Sequence, residues 1–147
     1  MKSFPIKFLP ANFLRCGLTG WCMEIIFTAL HCLRRRDLHL TGTTSLWMFP
    51  IYGMACLLTP VCRLLKGRPI WFRGSVYALL IFTAEYCTGS SLQKKELCPW
   101  DYGHSRFHIK RIIRLDYAPF WFLAGLLFEH ILLPSDQPAH RQKVRHP

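Results

Sequence analysis

Long apolar runs alternate with short charged breaks along this chain. Four runs, residues 14–33, 45–65, 71–88 and 116–133, are each long enough to cross a hydrocarbon core of about 30 Å, which takes roughly 20 helical residues. Arg34, Arg35 and Arg36 close the first run, Lys66 and Arg68 the second, Lys94 and Lys95 follow the third, and the segment after Pro134 is polar. Trp47, Trp71, Trp100 and Trp121 stand near the proposed ends, as interfacial aromatic residues do. Pro50 and Pro60 are expected to bend the second helix. The pattern predicts an all-α polytopic membrane protein: a four-transmembrane-helix bundle in one membrane domain over residues 1–134, followed by a disordered, polar, basic tail over 135–147. The N-terminus resembles a signal peptide, but its apolar run continues past Glu24 to Leu33 without a cleavage site, so it reads as a retained first helix.

Composition agrees with a bilayer setting. Hydrophobic residues make up 51% of the 147 and charged residues 18%, an apolar balance for so short a chain. The 19 Lys and Arg outnumber the 8 Asp and Glu, but they fall between apolar runs and not in one stripe. That spacing suits lipid headgroups and argues against nucleic acid. With four crossings the two sides carry nearly equal positive charge, so the positive-inside rule sets no orientation. Seven Cys include no C-x-x-C pair, and Cys16, Cys22, Cys56, Cys62 and Cys87 sit in or beside apolar runs, which implies neither a disulfide framework nor a zinc ribbon.

Three carboxylates fall inside proposed crossings: Glu24, Glu85 and Glu129. None has a Lys or Arg one turn away on its own helix, so each must face the bundle interior, carry a proton or find a partner on another helix. Gly17, Gly20, Thr28 and His31 share a narrow face with Glu24; Gly74, Ala78, Ile81 and Gly89 flank Glu85; Ala118, Phe122 and Gly125 flank Glu129. Small residues mark close helix contacts in lipid. Two readings remain open. The Glu residues line a proton, cation or solute path, with His31 as a further titrating group, or they are hydrogen-bonded glue.

In the third loop, Cys98, Pro99, Trp100, Asp101 and Tyr102 form a compact motif. Cys98, Asp101, His104 and His108 offer four candidate metal ligands, but in an order that no standard zinc pattern has. A tight loop with Asp101 capping a turn and Trp100 and Tyr102 at the interface explains the same residues. From residue 106 to 115, Ile109, Ile112, Ile113 and Leu115 fall on one arc of a helical wheel and Arg106, Lys110, Arg111 and Arg114 on the other, with Phe107 out of place. This predicts a short interfacial helix whose basic face contacts lipid headgroups, with a solvated charged loop as the plainer reading. No phosphate-binding loop, zinc-protease or serine-hydrolase motif occurs, so no enzyme activity and no cofactor is expected.

Several of these residues together resemble the Putative ABC-transporter type IV (CmpB-like) family, which includes the Transmembrane protein 229 group. The resemblance spans residues 20–129. It rests on Gly20 with Glu24, Gly42-Thr43 before Leu46-Trp47, Tyr52-Gly53, Arg73 with Tyr77, Glu85 with Thr88-Gly89, the loop motif from Cys98 to Tyr102, then Leu115, Tyr117, Trp121, Gly125 and Glu129. It implies a multi-pass membrane fold and adds weight to the three Glu and to Asp101. This chain departs from the family pattern in Lys110, Arg111 and Arg114 and in the added His104 and His108. The expected function is a transport-related, permease-like membrane component without its own ATPase, acting as a homo-oligomer or beside a separate ATPase subunit. The competing expectation is a non-catalytic assembly or regulatory protein with structural Glu residues.

Overall fold

The structure is a computed structural model that describes residues 9–34 and 36–133. The expected tail over 135–147, together with Lys2, Lys7 and Arg35, lies outside the described residues. Helix α1, Leu9–Arg34, has 26 residues and a length of about 39 Å. It begins five residues before the expected span, because Pro10 is tolerated in a first turn and Leu9 and Phe13 extend the apolar face.

The loop after α1 folds back onto it. The Thr28 hydroxyl donates to the Thr43 carbonyl at 3.0 Å and accepts the Thr43 N–H at 2.9 Å, and the Trp21 indole donates to the Ser45 carbonyl at 3.0 Å. Gly42 is required there, since a Cβ would stand 2.5 Å from the Ile25 carbonyl oxygen.

The second arm runs through α2, Met48–Gly53, a 3-10 stretch, Met54–Leu58, and α3, Thr59–Leu65. Pro50 sits in the first turn of α2, where its missing N–H costs little. Pro60 opens α3 and cannot donate backwards; the Thr59 hydroxyl instead donates to the Cys56 carbonyl at 2.6 Å. Where a bend was expected the chain has an overwound stretch that ends at Leu58, two residues before Pro60. Gly67, at φ +91°, turns the chain into α4, Ile70–Gln93, which outruns the expected third span by five residues. A 3-10 turn, Leu115–Tyr117, leads into α5, Ala118–Leu132.

α1 packs on the second arm, α4 packs on α5, and α5 also touches α1 and α3. Glycines set the closest approaches. A Cβ on Gly20 would lie 2.0 Å from Tyr52 Cγ, on Gly74 2.3 Å from the Phe122 ring, and on Gly125 2.4 Å from Tyr77 Cβ. The core between them holds Cys16, Tyr52, Cys62, Tyr77, Trp121 and Phe128, with Thr59 and Glu129 as its buried polar members.

Among the described residues, two helical segments are long and apolar enough to cross a membrane, Leu9–Leu33 and Met48–Leu65. α4 has the length but carries Arg73, Glu85 and several hydroxyl residues, and α5 is strongly apolar but only 15 residues long. The chain is mostly helical, in keeping with the expected class, although the four spans are not equally marked.

The short interfacial helix expected over residues 106–115 is absent. A two-stranded antiparallel hairpin stands there, β1 His108–Ile109 and β2 Ile113–Arg114, with Ile109 opposite Ile113. Lys110 and Arg111 both have positive φ, 50° and 65°, and the Ile112 N–H donates to the Ile109 carbonyl at 3.0 Å, which is a type I′ turn. Ten residues are too few to hold a helix unaided, and three β-branched Ile favour extended backbone. The turn buries Ile112, 2% exposed, against Gly89, where a Cβ would lie 2.4 Å from its methyl. That burial offsets two left-handed residues, each costing about 1–2 kcal/mol.

Candidate functional site

A cavity of about 980 Å³ is bounded by α1, the second arm, α4, α5 and the loop that follows α4. Glu24, Thr28 and His31 reach it from one face of α1; Tyr52, Ala55 and Leu58 from the second arm; Ile81 and Glu85 from α4; Phe120, Trp121 and Phe128 from α5. Thr43, Thr44, Trp100 and Tyr102 supply its polar rim.

Two of the three expected carboxylates therefore share one chamber. Glu24 Oε2 accepts a hydrogen bond from the Thr44 hydroxyl at 3.0 Å. Glu85 Oε1 accepts one from the Tyr102 hydroxyl at 3.3 Å, while Oε2 is buried without a hydrogen-bond partner. Trp121, 7% exposed, stands beside Glu85 with its indole N–H buried just outside hydrogen-bond geometry. His31 stands exposed at the rim. Glu129 is elsewhere: it pairs with Arg73 Nη1 at 2.8 Å across the α4–α5 contact. Arg73 was the partner to look for, since it lies one turn into α4 and Glu129 one turn from the end of α5. Tyr52 and Trp121 stood out in the sequence as residues of the family resemblance, and Trp121 as an interfacial aromatic, but neither as a neighbour of the carboxylates; the fold places both on the wall that Glu24 and Glu85 line.

The loop motif holds Tyr102 over the cavity. Asp101 Oδ1 accepts the Gly103 N–H at 2.8 Å and Arg111 Nε at 3.0 Å, with Arg111 Nη2 on the second oxygen. The Tyr102 N–H donates to the Arg111 carbonyl at 2.9 Å, and the Trp100 indole donates to the Ile112 carbonyl at 3.0 Å. Trp100 packs over Gly89 at the end of α4. Burial and the neighbouring Glu85 charge raise the Tyr102 phenol above its ordinary range, so it stays a proton donor. The turn-capping reading of Asp101 fits this geometry.

Three of the four basic residues assigned to headgroups have protein partners. Arg111 grips Asp101, Arg114 holds Asp116 at 2.7 and 2.8 Å and reaches the Tyr117 hydroxyl at 3.1 Å, and Lys110 donates to the Tyr86 hydroxyl at 2.9 Å. Arg106 is exposed. No group of three or more His, Cys, Asp or Glu among the described residues is arranged to hold a metal ion. Asp101 is engaged by Arg111, the Cys98 thiol donates to the Trp100 carbonyl, and His108 Nδ1 lies 2.7 Å from the Ser105 carbonyl.

The Arg111 guanidinium, followed by the Gly103 N–H, holds the Asp101 carboxyl at about 2, below its ordinary 3.8. A depressed carboxylate contributes its full stability above the unfolded value and loses it as pH falls through the folded one. The loop should therefore keep its order down to about pH 4 and loosen between there and about pH 2. Trp100 fluorescence will report this transition, and in Asp101→Asn the acid step will be missing.

A family model described as Putative ABC-transporter type IV matches residues 11–144, so the chain belongs to that family. No solved structure matches it.

Proposed function

We propose that this family member is a transport-related, permease-like membrane component that contains no ATPase, acts beside a separate ATPase subunit or as a homo-oligomer, and is not an enzyme. The observation carrying this reading is the single chamber into which α1 and α4 each direct a carboxylate, Glu24 and Glu85, above an apolar floor. A four-crossing arrangement is part of the proposal. Large apolar side chains stand exposed on every helical arm, among them Leu18 and Ile26, Leu57 and Leu64, Trp71 and Leu79, and Leu123. In water such a sheath would be a liability, and in a bilayer it is the natural outer face. Arg106, beside the exposed Phe107, remains a headgroup contact in this reading.

A second reading is favoured by one observation, the Arg73–Glu129 pair, which ties α4 to α5 and gives Glu129 a structural role. An assembly or regulatory protein would extend that role to all three Glu.

Proton and cation flux in liposomes separates the two. Glu24→Gln and Glu85→Gln keep shape and most hydrogen bonds but cannot ionise. Each is expected to remove most of the flux seen with the wild type while the protein stays folded. Flux unchanged in both variants would move the assignment to the assembly reading.

A further inference from the structure

We infer that the cavity binds an organic cation with an apolar body, its charged head between Glu24 and Glu85 and its body against the wall formed by Tyr52, Ile81 and Phe128. This deepens the transport reading and rests on the chamber being a solute site.

Size comes first. A volume of about 980 Å³ lies at the upper end for small-molecule sites, which run from about 300 to 1,000 Å³, and exceeds what an inorganic ion or a few waters need. The floor is aliphatic and aromatic, so a fully polar solute would leave it in contact with nothing it favours. Charge comes second. Glu24 and Glu85 line the same cavity as the Tyr52 ring, Glu24 from α1 and Glu85 from α4. The cation that also lines the cavity is Arg114, and it is already held by both oxygens of Asp116. His31 stands at the exposed rim. The lining thus carries two carboxylates against one arginine that is already paired, a balance that opposes an anionic amphiphile and draws a cationic one.

The wall also carries Glu85 and Trp121. Glu85 Oε2 and the indole N–H of Trp121 are both buried without hydrogen-bond partners. Trp121 is more than nine-tenths buried. The rings of Tyr52, Trp121 and Tyr102 around this wall add faces that favour a cation near them.

The test uses two ions of the same shape and opposite charge, tetraphenylphosphonium and tetraphenylborate, titrated into the full chain in non-ionic micelles. Tryptophan quenching gives the readout, since Trp100 and Trp121 line the cavity. The phosphonium is expected to bind saturably and at least about tenfold more tightly than the borate. Glu24→Gln and Glu85→Gln should each weaken it by about tenfold, whereas Glu96→Gln, outside the cavity, should not. The comparison of the two ions on the wild type needs no variant to fold. Equal or tighter binding of the borate overturns the inference, as does undiminished phosphonium binding in folded Glu24→Gln/Glu85→Gln protein. Phosphonium binding without any flux would support this site and end the transport reading. Flux without a preference for the phosphonium would overturn the inference and leave transport standing.

Discussion

Arg73→Met will destabilise the folded chain by about 3 kcal/mol, because it strands the Glu129 carboxylate inside the α4–α5 contact. The Glu129 side chain is only 10% exposed and its Oε1 lies 2.8 Å from Arg73 Nη1. Removing one member of a buried pair usually costs about 3–5 kcal/mol, and the 25% exposure of the Arg73 side chain puts this case at the lower end. Replacing both residues by apolar ones of similar size should recover most of the loss, since it removes both desolvation costs. Thermal unfolding of the four proteins in detergent, arranged as a double-mutant cycle, measures the coupling. If the double variant is as unstable as the sum of the two single ones, the pair is not what holds α4 to α5.

The second large effect is expected at Gly20. A Cβ there would stand 2.0 Å from Tyr52 Cγ and 2.3 Å from Tyr52 Cβ, far inside contact distance. Tyr52 Cβ is fixed to the backbone of α2, so no rotamer change relieves the clash; α1 and α2 must separate. Overpacking of this kind costs about 1–3 kcal/mol, and the rigid neighbour puts Gly20→Ala near the top of that range. The separation also withdraws Tyr52 from the cavity wall and shifts Glu24 on the same face of α1. Gly20→Ala should therefore lose stability and cavity function together, read as a lower unfolding midpoint and reduced flux. A normal midpoint would mean that the helices are not in contact at this position.

Much of this architecture was readable because lipid-length apolar runs and glycine spacing are local signals. Gly17 and Gly20 mark the face of α1 that meets Phe49 and Tyr52, and Gly125 marks the face of α5 that meets Tyr77. Helix ends drifted by up to five residues, because Leu9 and Phe13 before the first run and the hydroxyl-rich end of α4 continue helices that hydropathy alone would stop. Residues 106–115 misled for a different reason. Four apolar residues on one arc fit a helix, but Ile112 is drawn into the groove over Gly89 and Arg111 into Asp101, and such tertiary contacts leave no periodicity behind. The separation of Glu129 from Glu24 and Glu85 depends on which helices are neighbours. The antiparallel levels of Arg73 and Glu129 hinted at it, while the chamber shared by Glu24, Glu85 and Tyr52 did not exist until α1, α4 and the second arm were brought together.

The 3-10 stretch Met54–Leu58 changes the reach of its arm. As a pure α-helix the 18 residues of Met48–Leu65 would extend about 27 Å, short of a hydrocarbon layer of about 30 Å. Five residues rising about 2.0 Å each, where an α-helix rises 1.5 Å, add about 2.5 Å and nearly close that gap. The same overwinding turns the chain by about 120° per residue where an α-helix turns about 100°, so α3 leaves the stretch rotated by about 100° relative to the course set by α2. One short segment thus lengthens the arm to bilayer thickness and redirects its inner face, so that Tyr52 looks towards α1 and Cys62 towards Tyr77.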